Sequence, residues 1–246
     1  MKHQQAHLHR DTCVRVVVPL LLVMAMLVAQ HSSITSASEP VAVTVRIYNQ
    51  FGESLRQLRA SQSIAAVLFR NAGFDVQWRL CRSRTGPSAD LPDRCDDRLR
   101  PDELVVRVTG GDLNDDASVL GYAYIDARDG VGGVLATVLT DRVHAQADRD
   151  GVQREHLLAL TIAHELGHLL MGTAAHSRQG LMKERWSASD VQRGPLARWA
   201  FSAADERALL LGVSARLKLV SPPAFLSTWT ISEESPRSTA EIRLVR

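Results

Sequence analysis

Residues 154–171 read REHLLALTIAHELGHLLM, an apolar segment in which two histidines lie four positions apart and a glutamate directly follows the first. Residues four apart lie on the same face of an α-helix, one turn from each other. Apolar side chains occur all around the segment from Leu157 to Ala163, which is typical of a helix buried on most sides. The segment therefore predicts a buried helix that carries His164, Glu165 and His168.

These three polar side chains have the composition of a hydrolytic metal site. Two imidazoles on one helix face can bind one metal ion, and zinc prefers neutral imidazole nitrogen. A hydrolytic zinc site has three protein ligands and leaves one position for water, beside which a carboxylate can act as general base. Burying two histidines and a glutamate without partners would be costly, which argues against a chance match. We interpret His164 and His168 as zinc ligands and Glu165 as the catalytic base.

A third ligand is expected after the end of this helix. Gly172 directly follows the helical pattern, where a left-handed cap is expected, and His176 comes four residues later. Four extended peptide units span at most ~13 Å, so His176 can reach the two helical histidines. The sequence therefore makes His176 the first candidate, whereas His144 and His156 are interpreted as surface or helix-flanking residues.

The rest of the chain predicts an α+β domain over residues 39–218. A helix is expected from Leu55 to about Phe69, and a last helix over 202–217 with Ser202 as N-cap. We expect a mixed sheet of about four to five strands, with an active-site helix and a C-terminal helix. Alternating or continuous apolar patterns predict strands at 41–49, 74–80, 104–108, 120–125 and 133–139.

Both ends of the chain are expected to lie outside this domain. Residues 1–38 predict a signal peptide, because three basic residues precede an apolar run at Val16–Val28 and Ser36-Ala37-Ser38 suits cleavage. We expect a secreted or periplasmic protein. The alternative is an uncleaved membrane anchor, although the run is shorter than the ~20 residues of a spanning helix. Residues 219–246 contain Pro-Pro and scattered charge and predict a flexible tail.

The charge balance excludes a general nucleic-acid surface. The chain has 29 basic and 27 acidic residues, and removal of the signal peptide leaves 26 of each. A mature chain with a formal charge of zero lacks the basic field that attracts nucleic acid or anionic lipid. We expect a monomer whose partner is a protein or peptide substrate, with membrane contact only if the N-terminal segment is not cleaved.

Two cysteines remain after removal of the signal peptide. Cys81 and Cys95 enclose a polar segment and form an even pair in an exported chain, which predicts a disulfide. A loop of this length would contribute about 3 kcal/mol to stability. Metal ligation by the two thiolates is the alternative, without support from a C-x-x-C spacing.

The helical motif and the residues after it resemble a known family. The motif at 164–168, followed by Gly172, His176 and Gly180-Leu181-Met182, resembles zincin metallopeptidases and, within them, the metzincin-like arrangement. It is also similar to secreted bacterial proteins with His-Glu-Leu-Gly-His-Leu-Leu-x-Gly, His-Ser, Gly-x-Met and a tryptophan, and the likeness extends weakly over 41–217. The resemblance implies peptide-bond hydrolysis with a Zn2+ cofactor, His176 as third ligand and Met182 in a Met-turn beneath the metal.

One spacing departs from that pattern. Metzincins place a glycine three residues and a histidine six residues after the second motif histidine, whereas the offsets here are four and eight. A gluzincin-like alternative would use Glu206, or Glu184, as third ligand. The segment Leu120–Ile125 resembles the edge strand along which related enzymes align an extended peptide. Tyr122 and Tyr124 in it would either stabilise an oxyanion or pack across strands.

Further alternatives remain open at the level of the sequence. Met182 is alternatively a core residue, and Trp186 is interpreted as a packing residue. A secreted module that binds zinc without turnover would carry the same histidines. A zinc amidase acting on cell-wall peptides would carry the same metal and base.

Overall fold

The computed structural model describes residues 40–81, 95–111, 116, 118–126, 132–192, 196–220 and 242–245. All of them belong to one unit that runs from Pro40 to Arg246. The predicted signal peptide and residues 221–241 of the predicted tail lie outside the described residues. Within the described part of the chain, no helix combines the length and apolarity needed to cross a membrane.

A mixed β-sheet contains the six strands of the described residues. Its strand order is β2-β1-β3-β5-β4-β6, in which β1 pairs in parallel with β2 and β3, and β3 with β5. The remaining pairs, β4 with β5 and β4 with β6, are antiparallel. The strands are β1 (Val41–Asn49), β2 (Phe74–Cys81), β3 (Glu103–Thr109), β4 (Gly121–Asp126), β5 (Leu135–Leu139) and β6 (Ile242–Val245).

Among the described residues, five α-helices and one short 3₁₀-helix (Leu196–Trp199) accompany the sheet, and this combination confirms the expected α+β class. Ser54 caps the first helix, because its hydroxyl accepts a hydrogen bond from the Gln57 amide at 3.2 Å. The helix that carries His164 and His168 has the predicted bounds, and Gly172 ends it with φ 65°. The helices are α1 (Leu55–Asn71), α2 (Thr140–Asp150), α3 (Arg154–Met171), α4 (Ala188–Gln192) and α5 (Ala203–Val220).

Helix α2 was not expected from the sequence. It is rich in polar residues, and Leu139 precedes it without a side-chain capping bond. Only a narrow face is apolar, through Val143 and Ala147, which are fully buried. Local signals for this helix are therefore weak, and packing against its neighbours stabilises it instead.

Helix α3 is the centre of the core. It lies against β4 and β5 and also contacts α1, α2 and α5. Every residue from Leu157 to Leu170 is buried. This position explains why the segment is apolar on all faces, and it holds the histidine motif rigidly between the sheet and the other helices.

The end of the chain corrects one expectation. Ile242–Val245 forms β6 and pairs with residues 123–126 of β4, so these four residues belong to the sheet rather than to a flexible tail. Helix α5 also continues to Val220, two residues beyond the predicted domain boundary. Long-range pairing of this kind leaves no mark in local composition. The segment 120–125 was expected to be an edge strand of the sheet. Where β6 pairs with β4, however, β6 is the outermost strand.

The predicted disulfide between Cys81 and Cys95 is confirmed. A buried ion pair lies beside it: Arg46 Nη2 is 2.5 Å from Glu103 Oε2, and Arg46 Nη1 donates to the Cys95 carbonyl at 3.1 Å. Burial alone would raise the pKa of Glu103, but hydrogen bonds from the Arg100 amide and from Arg46 lower it below its ordinary value. These contacts tie the disulfide-bonded segment to β1 and β3.

Candidate metal centre

Three histidine side chains converge at the C-terminal half of α3. His164 and His168 project from the helix, and His176 comes from the loop after Gly172. Their ligand atoms lie within 4.8 Å of one another. His168 Nε2 is 3.0 Å from His164 Nε2 and 3.3 Å from His176 Nε2. Among the described residues, this group does not include Glu206 or Glu184, the alternative third ligands.

The other ring nitrogen of both helical histidines is held by a backbone carbonyl. His164 Nδ1 donates to the Leu181 carbonyl and His168 Nδ1 to the Thr173 carbonyl, each at 2.8 Å. Because a carbonyl can only accept, both neutral rings carry their proton on Nδ1 and present a bare lone pair on Nε2. Two bare nitrogens 3.0 Å apart cannot hydrogen-bond to each other, but they can share a cation.

Burial keeps the three rings neutral. It lowers the pKa of His164 to about 3 and that of His168 to about 4, with neighbouring histidines adding to the effect at His164. Burial also lowers the pKa of His176. A zinc ion requires unprotonated imidazole nitrogen, so the donor set of the described cluster fits zinc.

Glu165 is a buried carboxyl beside this cluster. Its side chain is 5% exposed, and its Oε2 atom has no hydrogen-bond partner among the described residues. Burial raises its pKa well above the ordinary value. An unpartnered buried carboxyl is costly to fold, and such groups occur where chemistry requires them.

Strand β4 leaves room for the Glu165 side chain at Gly121. A Cβ atom on Gly121 would lie 3.0 Å from Glu165 Cγ and 3.1 Å from Glu165 Oε1. It would also lie 2.9 Å from the Thr137 backbone oxygen. Gly121 therefore lets β4 approach the helix closely, and the strand in turn fixes the position of the carboxyl.

The loop that carries His176 is fixed by polar contacts to α5. Ser177 Oγ donates to Asp205 Oδ1 at 2.7 Å, and the Ser177 amide donates to the Met182 carbonyl at 2.7 Å. Asp205 is buried, and its other oxygen accepts a bond from the Ser202 amide at 2.9 Å. The two extra residues relative to the metzincin spacing are accommodated in this loop, and His176 still reaches the cluster.

Met182 packs directly against α3. It is fully buried, and a Cβ on Gly167 would lie 2.7 Å from Met182 Sδ. The preceding residue, Leu181, supplies the carbonyl that binds His164. The glycine inside the helix motif therefore allows close packing of the turn 180–182 against α3.

A cleft of about 480 Å³ opens onto the cluster. His164 and Glu165 line it together with Gly121 of β4 and Trp186 of the loop. Trp186 packs edge-to-face on His164, with ring centroids 5.4 Å apart. Because side chains alternate along a strand, Tyr122 and Tyr124 face away from Glu165; their rings pack on each other at 5.3 Å. This arrangement supports the packing interpretation of the tyrosines.

Sequence reasoning missed several groups that shape this site. The carbonyls of Thr173 and Leu181 are backbone groups, which carry no signal in a sequence. From the sequence, Asp205 was only a position in the predicted last helix, and Gly121 only a position in a predicted strand. The pair Ser177 and Asp205 could not be matched before the fold placed them together.

No protein-family model matches this chain, and no curated protein matches it in sequence. Solved structures that are similar to it include the following two. An archaemetzincin from Methanopyrus kandleri is 17% identical with a TM-score of 0.48, over 72% of this chain and 97% of that protein. A metalloproteinase-II from Bacteroides fragilis is 18% identical with a TM-score of 0.47, over 72% of this chain and 55% of that protein.

Proposed function

We propose that this protein is an exported, zinc-dependent metallopeptidase. In this proposal His164, His168 and His176 bind the zinc ion and Glu165 is the general base. One observation carries the proposal: bare imidazole nitrogens face one another beside a buried, unpartnered carboxyl at the wall of an open cleft. A purely structural zinc site would use four ligands and would have no use for such a carboxyl.

The roles of the side chains follow from their positions. When bound, a zinc ion supplies a Lewis acid that polarises a carbonyl and makes water a better nucleophile at neutral pH. Glu165 faces the same cleft as His164, so it can take up a proton from the attacking water and pass it to the leaving nitrogen. The Leu181 and Thr173 carbonyls hold the rings in the ligand tautomer.

A peptide substrate is supported by the surroundings of Glu165. The cleft is bordered by β4, whose backbone next to Gly121 lies beyond the residues that pair with β6. Gly121 pairs with β5 on one side, and its other side has no strand partner among the described residues. Such a free strand edge can bind an extended peptide by strand addition. Export is supported by the signal-like segment 1–38 and by the Cys81–Cys95 disulfide, because disulfides persist in oxidising compartments.

The test uses Glu165→Gln, with Glu155→Gln on the same helix as matched control. We expect zinc content to stay at one ion per chain in both variants. Cleavage of a casein-like substrate should fall by about 10²–10⁴-fold in the Glu165 variant only, because a general base contributes a factor of that order. Full activity of Glu165→Gln would refute its role.

Ligand identity is tested in the same way with His176→Ala and the control His156→Ala, whose ring is not part of the cluster. Mass spectrometry should show loss of stoichiometric zinc only for His176→Ala. Zinc bound to wild type without any turnover would instead support a non-catalytic zinc-binding module. Hydrolysis restricted to cell-wall peptides would support an amidase.

A further inference from the structure

A second cleft, of about 450 Å³, lies beside the first. It is formed by the loop after His176, by α4 and by the segment that precedes α5. The residues that decide its chemistry are basic or aromatic, with a single carboxylate among them: Arg178, Lys183, Trp186, Asp190, Arg198 and Trp199.

The two clefts share one wall. Lys183 and Trp186 line both of them. The Trp186 ring packs edge-to-face on His164 at 5.4 Å and on Trp199 at 5.2 Å, so an aromatic wall leads from the histidine cluster into the second cleft. At ~3.3 Å per residue, about three residues of an extended peptide cover this distance.

The second cleft has uncompensated positive charge. Its carboxylate, Asp190, is 2.7 Å from Lys183 Nζ and also accepts bonds from Ser187, and these contacts lower the pKa of Asp190 to about 2. Asp190 therefore neutralises Lys183. Arg178 and Arg198 are exposed, and neither has an ion pair or hydrogen bond among the described residues. Two free guanidinium groups thus remain at the cleft.

The aromatic residues contribute hydrogen-bond donors without acceptors. The Nε1 atoms of Trp186 and Trp199 are buried and have no partner among the described residues. A buried donor without acceptor costs about 1–3 kcal/mol, which a bound acceptor would recover. No unpartnered buried acceptor of the described residues lines this cleft. The cleft is therefore complementary to an anion and not to a cation.

We propose that this cleft binds an acidic side chain of the substrate, so that the protein prefers peptides with Glu or Asp within about three residues of the cleaved bond. This inference rests on the proposed peptidase function. Arg178 and Arg198 supply the charge, because a guanidinium forms two parallel hydrogen bonds with a carboxylate. Trp186 and Trp199 pack against the methylene groups of the same side chain.

The experiment compares fluorogenic peptides that differ only in Glu or Gln at each position near the cleaved bond. For wild type we expect kcat/KM to be at least about 10-fold higher for Glu at one position, because charge-assisted hydrogen bonds exceed neutral ones by this order. Arg178→Gln with Arg198→Gln should remove the difference in kcat/KM between the Glu and Gln peptides. The matched control replaces Arg56 and Arg59 of α1, both exposed and outside the cleft.

Charge reversal gives a second readout that loss of folding cannot imitate. Arg178→Glu with Arg198→Glu should make the Lys version of the peptide the better substrate. Equal kcat/KM of wild type for the Glu and Gln peptides would overturn the inference, as would a preference that survives in the double Gln variant.

Binding to zinc-loaded Glu165→Gln separates this inference from the proposed function. If wild type cleaves none of the peptides, the proposed function fails. If zinc-loaded Glu165→Gln binds the Glu peptide with a lower Kd than the Gln peptide, the inference that the cleft binds an acidic side chain is still supported. Equal Kd values for the two peptides would overturn that inference.

Discussion

Gly121→Ala tests how the sheet positions the Glu165 carboxyl, the proposed general base. The new methyl group would lie 2.9 Å from the Thr137 backbone oxygen and 3.0–3.1 Å from Glu165 Cγ and Oε1. The Thr137 oxygen belongs to β5 and is held by the sheet, so the Glu165 side chain must move by a few tenths of an ångström. Overpacking of this kind costs about 1–3 kcal/mol of stability.

The loss of activity should exceed what this destabilisation explains. A displacement of ~1 Å at a reacting group can cost about 100-fold in rate, so we expect kcat/KM for a casein-derived peptide to fall by about 10-fold to 100-fold. Zinc content should stay at one ion per chain, because the three atoms nearest to the methyl group belong to Thr137 and Glu165 and not to a histidine. Steady-state kinetics, metal analysis and urea denaturation measure the three quantities.

Gly110→Ala is the matched control, since among the described residues its Cβ would meet only the Phe51 ring, at 3.7 Å, an ordinary contact distance. It should retain wild-type kcat/KM. Wild-type activity of Gly121→Ala would refute the argument that β4 fixes Glu165. A loss of zinc in that variant would show that the strand acts on the histidines instead.

Three further predictions concern stability and the covered strand edge. Replacing Cys81 and Cys95 by serine should lower the free energy of unfolding by about 3 kcal/mol, measured with urea, because the cross-link closes a loop with a sequence separation of 14; an unchanged midpoint would contradict this. Glu103→Gln leaves Arg46 without its buried counter-ion and should cost about 3–5 kcal/mol at neutral pH. Since folding lowers the pKa of Glu103, this stabilisation is present above pH 4.5 and is lost as the pH falls through the lowered pKa. The free energies of unfolding of wild type and Glu103→Gln, measured as a function of pH, should therefore converge in acid and not in base. Removing residues 221–246 frees the edge of β4 and should raise kcat/KM for long peptides more than for short ones; equal ratios would show that substrates do not use this edge.

Much of the fold was readable from local patterns. The alternation in Val41–Asn49 predicted β1 with its observed bounds, and the apolar run with Gly172 after it predicted α3. These patterns are strong because burial on one face or on all faces forces the side-chain period. Helix α2 and strand β6 were missed, because a polar helix with a narrow apolar face and a four-residue strand both depend on distant partners.

The site shows the same division. The pair His164 and His168 and the neighbouring Glu165 follow from spacing alone, because a helix fixes the relative positions of residues four apart. The choice of His176 over Glu206 did not follow, since the path of a loop depends on contacts such as Ser177 with Asp205. In the structure the His176 ring lies with the two helical histidines, and the described group does not include Glu206.

The sequence by itself determined the buried helix, the two imidazoles on one of its faces and the cysteine pair, because each depends on side chains that are near in the chain or on residue type. Only the tertiary structure decided which third side chain joins the histidines, which carbonyls set their tautomers, and that Gly121 borders Glu165. These features join residues far apart in sequence, and their positions result from packing of the whole core around α3. The cleft with Arg178 and Arg198 likewise exists only in the folded chain.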